Sequence, residues 1–103
     1  MKNNLNVRKS FVITKGHIWF NFCNGVVLSV FNGCCSHTEN WFNHDFSTDI
    51  FESNEVEIAV LKNGKFITKE FYKKLDDDVI TINICQFISL LKKVRDYSIN
   101  TLD

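Results

Sequence analysis

The chain reads as an α+β domain: an antiparallel sheet of two Asn-Gly hairpins, with one C-terminal amphipathic helix packed on it. Three observations predict this. Asn24-Gly25 and Asn63-Gly64 each sit between runs of strand-forming residues, which is the strongest short-range hairpin signal. Near the C-terminus Ile84, Phe87, Ile88, Leu91 and Val94 recur with a helical period. The 103 residues fit one domain, large enough to bury roughly 65% of its unfolded surface.

In chain order, residues 1–10 are polar and aperiodic and read as a flexible arm, leading into a short strand at Phe11-Val12-Ile13-Thr14 that Gly16 ends. His17 to Phe22 and Val26 to Phe31 form the first hairpin. A two-residue turn at Asn24-Gly25 pairs Phe22 with Val27, Phe20 with Ser29 and Ile18 with Phe31, and puts Trp19 with Leu28 and Val30 on the other face. Both faces are then apolar, which places the hairpin mid-sheet, covered on both sides. The second hairpin runs Glu55 to Leu61, turns at Asn63-Gly64 and returns as Lys65 to Thr68, with Val56, Ile58, Val60 and Ile67 on one face. Asn83, followed three places on by Gln86, is a capping-box pair that starts a helix over 84–96. That helix packs through Ile84, Phe87, Ile88 and Leu91, and its late Lys92, Lys93 and Arg95 favour the C-terminal dipole. Asp76, Asp77 and Asp78 read as solvated charges near its positive end. The domain spans 11–97, and 98–103 are a tail.

Charge excludes some functions. Twelve basic residues balance twelve acidic ones, so no global field draws the chain to nucleic acid or an anionic membrane, and direct nucleic-acid binding is not expected. The start MKNNLNVRKSFVITKG lacks a signal-peptide core, and no apolar run approaches the ~18 residues of a membrane span; a cytoplasmic protein is expected. There Cys23, Cys34, Cys35 and Cys85 are reduced thiols, each read as a small buried hydrophobe.

Residues 32–53 make a loop longer than compact domains usually carry without a use for it. Cys34, Cys35, His37 and His44 hold zinc-type donors, with Cys23 or Asp45 in reserve, but Cys35-x-His37 is too tight and His44 stands alone, so no metal and no cofactor are expected. A Cys/His pair drawn with Glu39, Asn40 or Asp45 from one loop is poorly preorganised for nucleophilic catalysis, and phosphate-binding, dinucleotide and nucleophile-elbow signatures do not occur; no enzyme is expected. Binding remains. Ser36, His37, Thr38, Glu39, Asn40 and Asn43 set donors and acceptors beside Trp41, Phe42 and Phe46, the mixture of polar rim and aromatic anchor that protein interfaces use. The alternative is that these polar groups bond their own backbone while Trp41 and Phe46 pin the loop to the sheet.

Phe22-x-Asn24-Gly25-x-x-Leu28-Ser29-Val30, then Asn32-Gly33-x-x-Ser36-x-Thr38-Glu39-Asn40, then Glu55 to Val60 with a second Asn-Gly turn and a final helix, resembles a family of short accessory proteins from tailed phages and prophages. The resemblance covers roughly residues 18–95 and brings no catalytic residues with it. It implies a phage accessory gene, and small proteins of that kind often act by binding; with the loop's composition this gives a noncatalytic inhibitor of a host protein or complex, anti-CRISPR-like, acting in the bacterial cytoplasm through the 32–46 loop, with Ser36 to Asn43 as its binding residues, and the adjoining sheet edge. Cys34-Cys35 and His37 depart from the family pattern. A small-molecule or nucleotide-binding module is the alternative reading, with a small enzyme third, and a homodimer stays open.

Overall fold

The computed structural model describes residues 9–32 and 51–97. They form a six-stranded antiparallel sheet with a helix on one face, the predicted α+β class. Strands β1 (Phe11–Thr14), β2 (His17–Asn21), β3 (Val26–Phe31) and β4 (Glu55–Lys62) follow one another as neighbours. The far edge of β4 is shared by two short strands, β5 (Lys65–Phe66) and β6 (Ile80–Asn83). Helix α1 covers Ile84–Arg95. The 1–8 part of the expected arm, the 33–50 part of the expected loop and the 98–103 tail lie outside the described residues.

The second hairpin forms as its turn residues dictate. Asn63 (φ 54°) and Gly64 (φ 79°) both take the left-handed conformation that a two-residue turn of this kind requires, and Lys62 pairs with Lys65. Beyond Phe66 the strand stops. Ile67 N–H still donates to Val60 O (2.7 Å), but Thr68–Glu70 coil into a single 3-10 turn. Thr68 then fills the gap between β5 and β6 with its side chain. Val60 N–H donates to Thr68 Oγ1 (2.9 Å), and the hydroxyl donates to the carbonyl of Asp78 (2.6 Å). A fully buried threonine thus completes a ladder that two half-strands leave open.

The first hairpin corrects the expected register. The pair that closes its loop is Phe22 with Val26, through Phe22 N–H to Val26 O (2.9 Å), and Gly25 N–H returns to Phe22 O (3.0 Å). Three residues, Cys23, Asn24 and Gly25 (φ 86°), make the loop instead of two. Phe20 therefore faces Leu28, Ile18 faces Val30, Trp19 faces Ser29 and His17 faces Phe31. A one-residue change of register moves every side chain to the other face. The cause is tertiary: Asn24 Nδ2 donates to the carbonyls of Val94 (2.9 Å) and Tyr97 (3.2 Å) at the end of α1, while its Oδ1 accepts Val26 N–H (3.1 Å). The helix C-terminus engages the turn asparagine, and Lys62 Nζ donates to Asn24 O (2.6 Å) from β4.

The core follows from that register. Val26, Leu28 and Val30 alternate as buried with half-buried Val27, Ser29 and Phe31, so β3 is central, and among the described residues one of its faces is covered rather than both as expected. On the helix face Leu28, Val60, Ile58, Val30, Ile80 and Ile82 meet Leu90 and Val94, with Phe20, Phe87 and Leu91 packed against them. The capping box at Asn83 and Gln86 forms as predicted, each side chain accepting the other's backbone N–H at 2.9 Å. The helix phase is corrected, however. Leu90 and Val94 are its buried residues, while Ile84 (64% exposed) and Ile88 (50% exposed) face outward. The stripe 87, 90, 91, 94 is the one that fits the sheet, since it excludes the two isoleucines that only mimic the period.

Strand β6 was not anticipated. Val79-Ile80-Thr81-Ile82 is a β-branched run that the aspartates before it obscured. It separates Asp76, Asp77 and Asp78 from α1, so these charges are not near the helix start; Asp76 instead pairs with Lys69 at 3.3 Å. Cys23 and Cys85 are exposed free thiols rather than buried hydrophobes.

Candidate functional site

The register change has its main effect on the sheet face opposite α1. There β2 contributes His17 and Trp19, β3 contributes Ser29 and Phe31, and β4 contributes Glu57, Ala59 and Leu61. Trp19, Ser29 and Ala59 stand in one row across three strands. Two small side chains beside one large one leave a trough, and Phe31, Leu61, Phe66 and Val79 raise its walls. The volume is about 370 Å³. Phe66 (51% exposed) and Val79 (46% exposed) lie open at its rim, so large apolar groups face solvent beside the concavity.

One polar feature stands on this apolar surface. The His17 imidazole lies flat on the Trp19 indole, with centroids 3.7 Å apart and planes at 19°, and tilts against Phe31 at 5.2 Å. Its Nε2 hydrogen-bonds Ser29 Oγ at 2.6 Å. Partial burial among these rings lowers the His17 pKa and favours the neutral imidazole. Next along the same face, Asn21 Nδ2 donates to Lys9 O (2.7 Å), while its Oδ1 is buried without a hydrogen-bond partner among the described residues. That oxygen is an unused acceptor beside an aromatic surface.

A hydroxyl and an imidazole at this distance have the spacing of a nucleophile and its base. Ser29, however, lies on a central strand paired on both sides, so nearby backbone N–H groups are engaged in the ladder and are not aimed at a reacting oxygen. What the arrangement offers is a stacking platform, a fixed hydroxyl and an apolar trough.

The residues singled out from sequence, Ser36, His37, Thr38, Glu39, Asn40, Trp41, Phe42 and Asn43, lie outside the described residues, as do Cys34, Cys35, His44, Asp45 and Phe46. The root of their segment is described. Asn32 N–H donates to Gly16 O (2.7 Å), Asn32 Nδ2 donates to Phe51 O (3.4 Å), and Ser53 Oγ donates to Asn32 Oδ1 (2.9 Å). Strand β3 ends at Phe31, itself a wall of the trough. Among the described residues no three His, Cys, Asp or Glu side chains gather to hold a metal ion, and no helix is long and apolar enough to cross a membrane. Sequence reasoning missed His17, Trp19, Ser29, Phe31, Leu61 and Phe66 as one surface because the wrong register split Trp19 from Ser29 and His17 from Phe31.

Family models, curated proteins and solved structures were compared with this chain, and none matches.

Proposed function

We propose that this chain is a noncatalytic binding protein whose working surface is the aromatic sheet face opposite α1, and that its partner is a protein. The observation that carries the reading is the trough itself. Trp19, Phe31 and Phe66 line a concavity of about 370 Å³ beside exposed apolar rim residues, and aromatic anchors around a pocket are where protein interfaces concentrate their energy. The zero formal net charge supports a protein over a polyanion, because nothing on the chain as a whole favours phosphate. The noncatalytic part is supported by the commitment of the strand N–H groups around Ser29 to the ladder. The resemblance to phage accessory proteins directs the search for a partner to host defence complexes, which the chain would inhibit by occupancy, with Ser36 to Asn43 adding contacts from the segment rooted at Phe31.

A second reading has its own observation. The trough volume lies in the range of small-ligand sites, and the His17–Trp19 stack is a platform for a planar ring, so a small-molecule or nucleotide-binding module fits the same surface. Affinity capture from host cells followed by native mass spectrometry separates the two. The first reading expects one stoichiometric polypeptide, lost when Phe66 and Val79 are both replaced by Ser. A ligand of defined small mass, with no polypeptide, would replace it by the second.

A further inference from the structure

The two Asn-Gly hairpins share a chemical liability, and the fold treats them differently. A glycine amide nitrogen can attack the side-chain carbonyl carbon of the asparagine before it, an approach that no Cβ obstructs. The attack needs a free nitrogen, a side chain able to swing and room for a five-membered ring. At Asn24-Gly25 the fold withholds all three. Gly25 N–H donates to Phe22 O (3.0 Å), Asn24 Nδ2 donates to the carbonyls of Val94 and Tyr97 while its Oδ1 accepts Val26 N–H, and Lys62 Nζ occupies the space where a Cβ on Gly25 would lie. At Asn63-Gly64 none of these restraints is present among the described residues. Both residues are exposed, the Asn63 side chain and the Gly64 N–H have no hydrogen-bond partner there, and the space around Gly64 is open. The turn also opens cheaply. Asn63 (φ 54°) must leave the left-handed well to react, and what holds it there is β5, a strand of two residues that closes the turn through the pair Lys62 and Lys65.

We propose that Asn63 is a site of spontaneous deamidation through a succinimide, and that its isoaspartyl product frees β5 and with it the Phe66 wall of the trough. Gly64 N, having given its proton to hydroxide, bonds to Asn63 Cγ; the Cγ–Nδ2 bond breaks, and the nitrogen leaves as ammonia after taking a proton from water. Water then opens the ring. Addition at Cγ gives an aspartate, and addition at the main-chain carbonyl carbon gives an isoaspartate, whose backbone runs through the former side chain and is one methylene longer. The sum is one water consumed and one ammonia released. An aspartate keeps the turn, since Asp-Gly suits it as Asn-Gly does, whereas the added backbone atom of the isoaspartate breaks the match between a two-residue turn and the pair that closes it. Phe66, opposite Leu61, is the next residue after that pair and lines the trough. The release ends at Ile67, whose N–H is bonded to Val60 O, and at Thr68, whose hydroxyl holds both Val60 and Asp78. The chemistry of the site does not depend on what the trough binds.

The test incubates the full chain in neutral buffer, folded and in concentrated urea, and follows both asparagines by peptide mass spectrometry, which reads deamidation as a gain of about one mass unit and separates isoaspartate by its fragment ions. In urea the two pairs are equally unrestrained and should convert at rates within about threefold of each other. In the folded chain Asn63 should convert at least roughly ten-fold faster than Asn24, because freeing Asn24 requires the end of α1 to open and freeing Asn63 requires only the turn. The isoaspartyl chain, isolated by chromatography, should exchange its Lys65 amide at least roughly ten-fold faster than the unmodified chain, while the Val60 amide, bonded to Thr68, keeps its protection. Asn63→Asp adds the charge without the methylene and should exchange Lys65 like the unmodified chain. Three results would overturn the proposal: equal conversion of Asn24 and Asn63 in the folded chain, an unreactive Asn63 in the folded chain while both convert in urea, or unchanged Lys65 exchange in the isoaspartyl chain.

Discussion

Replacing Thr68 by Val keeps the shape of a fully buried side chain and removes one hydroxyl, which isolates the polar link between β5 and β6. The Val60 N–H loses its acceptor in the core, and a buried donor left unsatisfied costs about 1–3 kcal/mol. The Asp78 carbonyl loses its donor too, but it is half-buried and water can reach it, so its share is smaller. Against these stands the burial of one added methyl, worth about 0.8 kcal/mol. The expected net loss is about 1–3 kcal/mol, measured by urea denaturation with an unchanged m-value. For a domain of this size each kcal/mol moves Tm by roughly 4–8 °C. Thr68→Ser keeps the hydroxyl and gives up only packing. The Val60 amide should therefore stay protected from exchange in the Thr68→Ser variant and lose protection beyond the global change in the Thr68→Val variant. If Thr68→Val matches the wild type within about 0.5 kcal/mol and the Val60 amide is equally protected, the side chain is not completing the ladder and the reasoning fails.

Other perturbations test other joints of the structure. Leu90→Ala should cost about 2–5 kcal/mol and Ile88→Ala stay within about 0.5, an order that the uncorrected helix phase would reverse; denaturation of both decides it. Asn24→Ala takes the side-chain donor from the Tyr97 carbonyl and one of two donors from the Val94 carbonyl, which keeps the Tyr97 N–H, and should cost about 1–2 kcal/mol, and Asn24→Asp should be worse than Ala because a carboxylate meets the negative end of the helix. The lowered His17 pKa means the unfolded chain binds a proton more readily than the folded one. The His17 contribution is therefore complete above the ordinary imidazole value of 6.5 and is lost as pH falls below it toward the folded value. Tm measured from about pH 7.5 to about pH 5.5 should decline less steeply in His17→Gln, and an identical slope would refute the assignment. If the segment beyond Phe31 shares the interface, Trp41→Ala should weaken partner affinity by ~2 kcal/mol or more with Tm nearly unchanged, as measured by calorimetry and thermal melts.

The parts of the fold written in local chemistry were legible in the sequence. Asn63-Gly64 supplied both left-handed residues of its turn, and Asn83 with Gln86 supplied a complete cap, because each needs only its own backbone. Asn24-Gly25 looked the same and behaved differently. Its asparagine is engaged by the carbonyls of a helix about seventy residues away, a partner that no local rule contains. These bonds accompany the three-residue loop and its register, and with it the face on which Trp19 and His17 lie. The helix phase failed for a related reason, since Ile84 and Ile88 satisfy the period without facing the sheet. Strand β6 was hidden because it is only four residues long and pairs with half of β4. The candidate site inherited these errors: a surface spread over four strands is legible only after the register is known, whereas polar and aromatic residues crowded in one loop are conspicuous in any reading.

Binding of a protein partner by the aromatic face opposite α1 is tested by calorimetric affinity for the captured partner in variants at two exposed positions on opposite sides of the sheet. Phe66→Glu places a charge at the rim of the trough, and Ile88→Glu places one on the outer side of α1, both at side chains about half exposed and so tolerant of change. At least a roughly thirty-fold loss of affinity, about 2 kcal/mol, is expected for Phe66→Glu and less than a roughly threefold change for Ile88→Glu, with both variants folded. Unchanged affinity in Phe66→Glu, or the larger loss in Ile88→Glu, would contradict it.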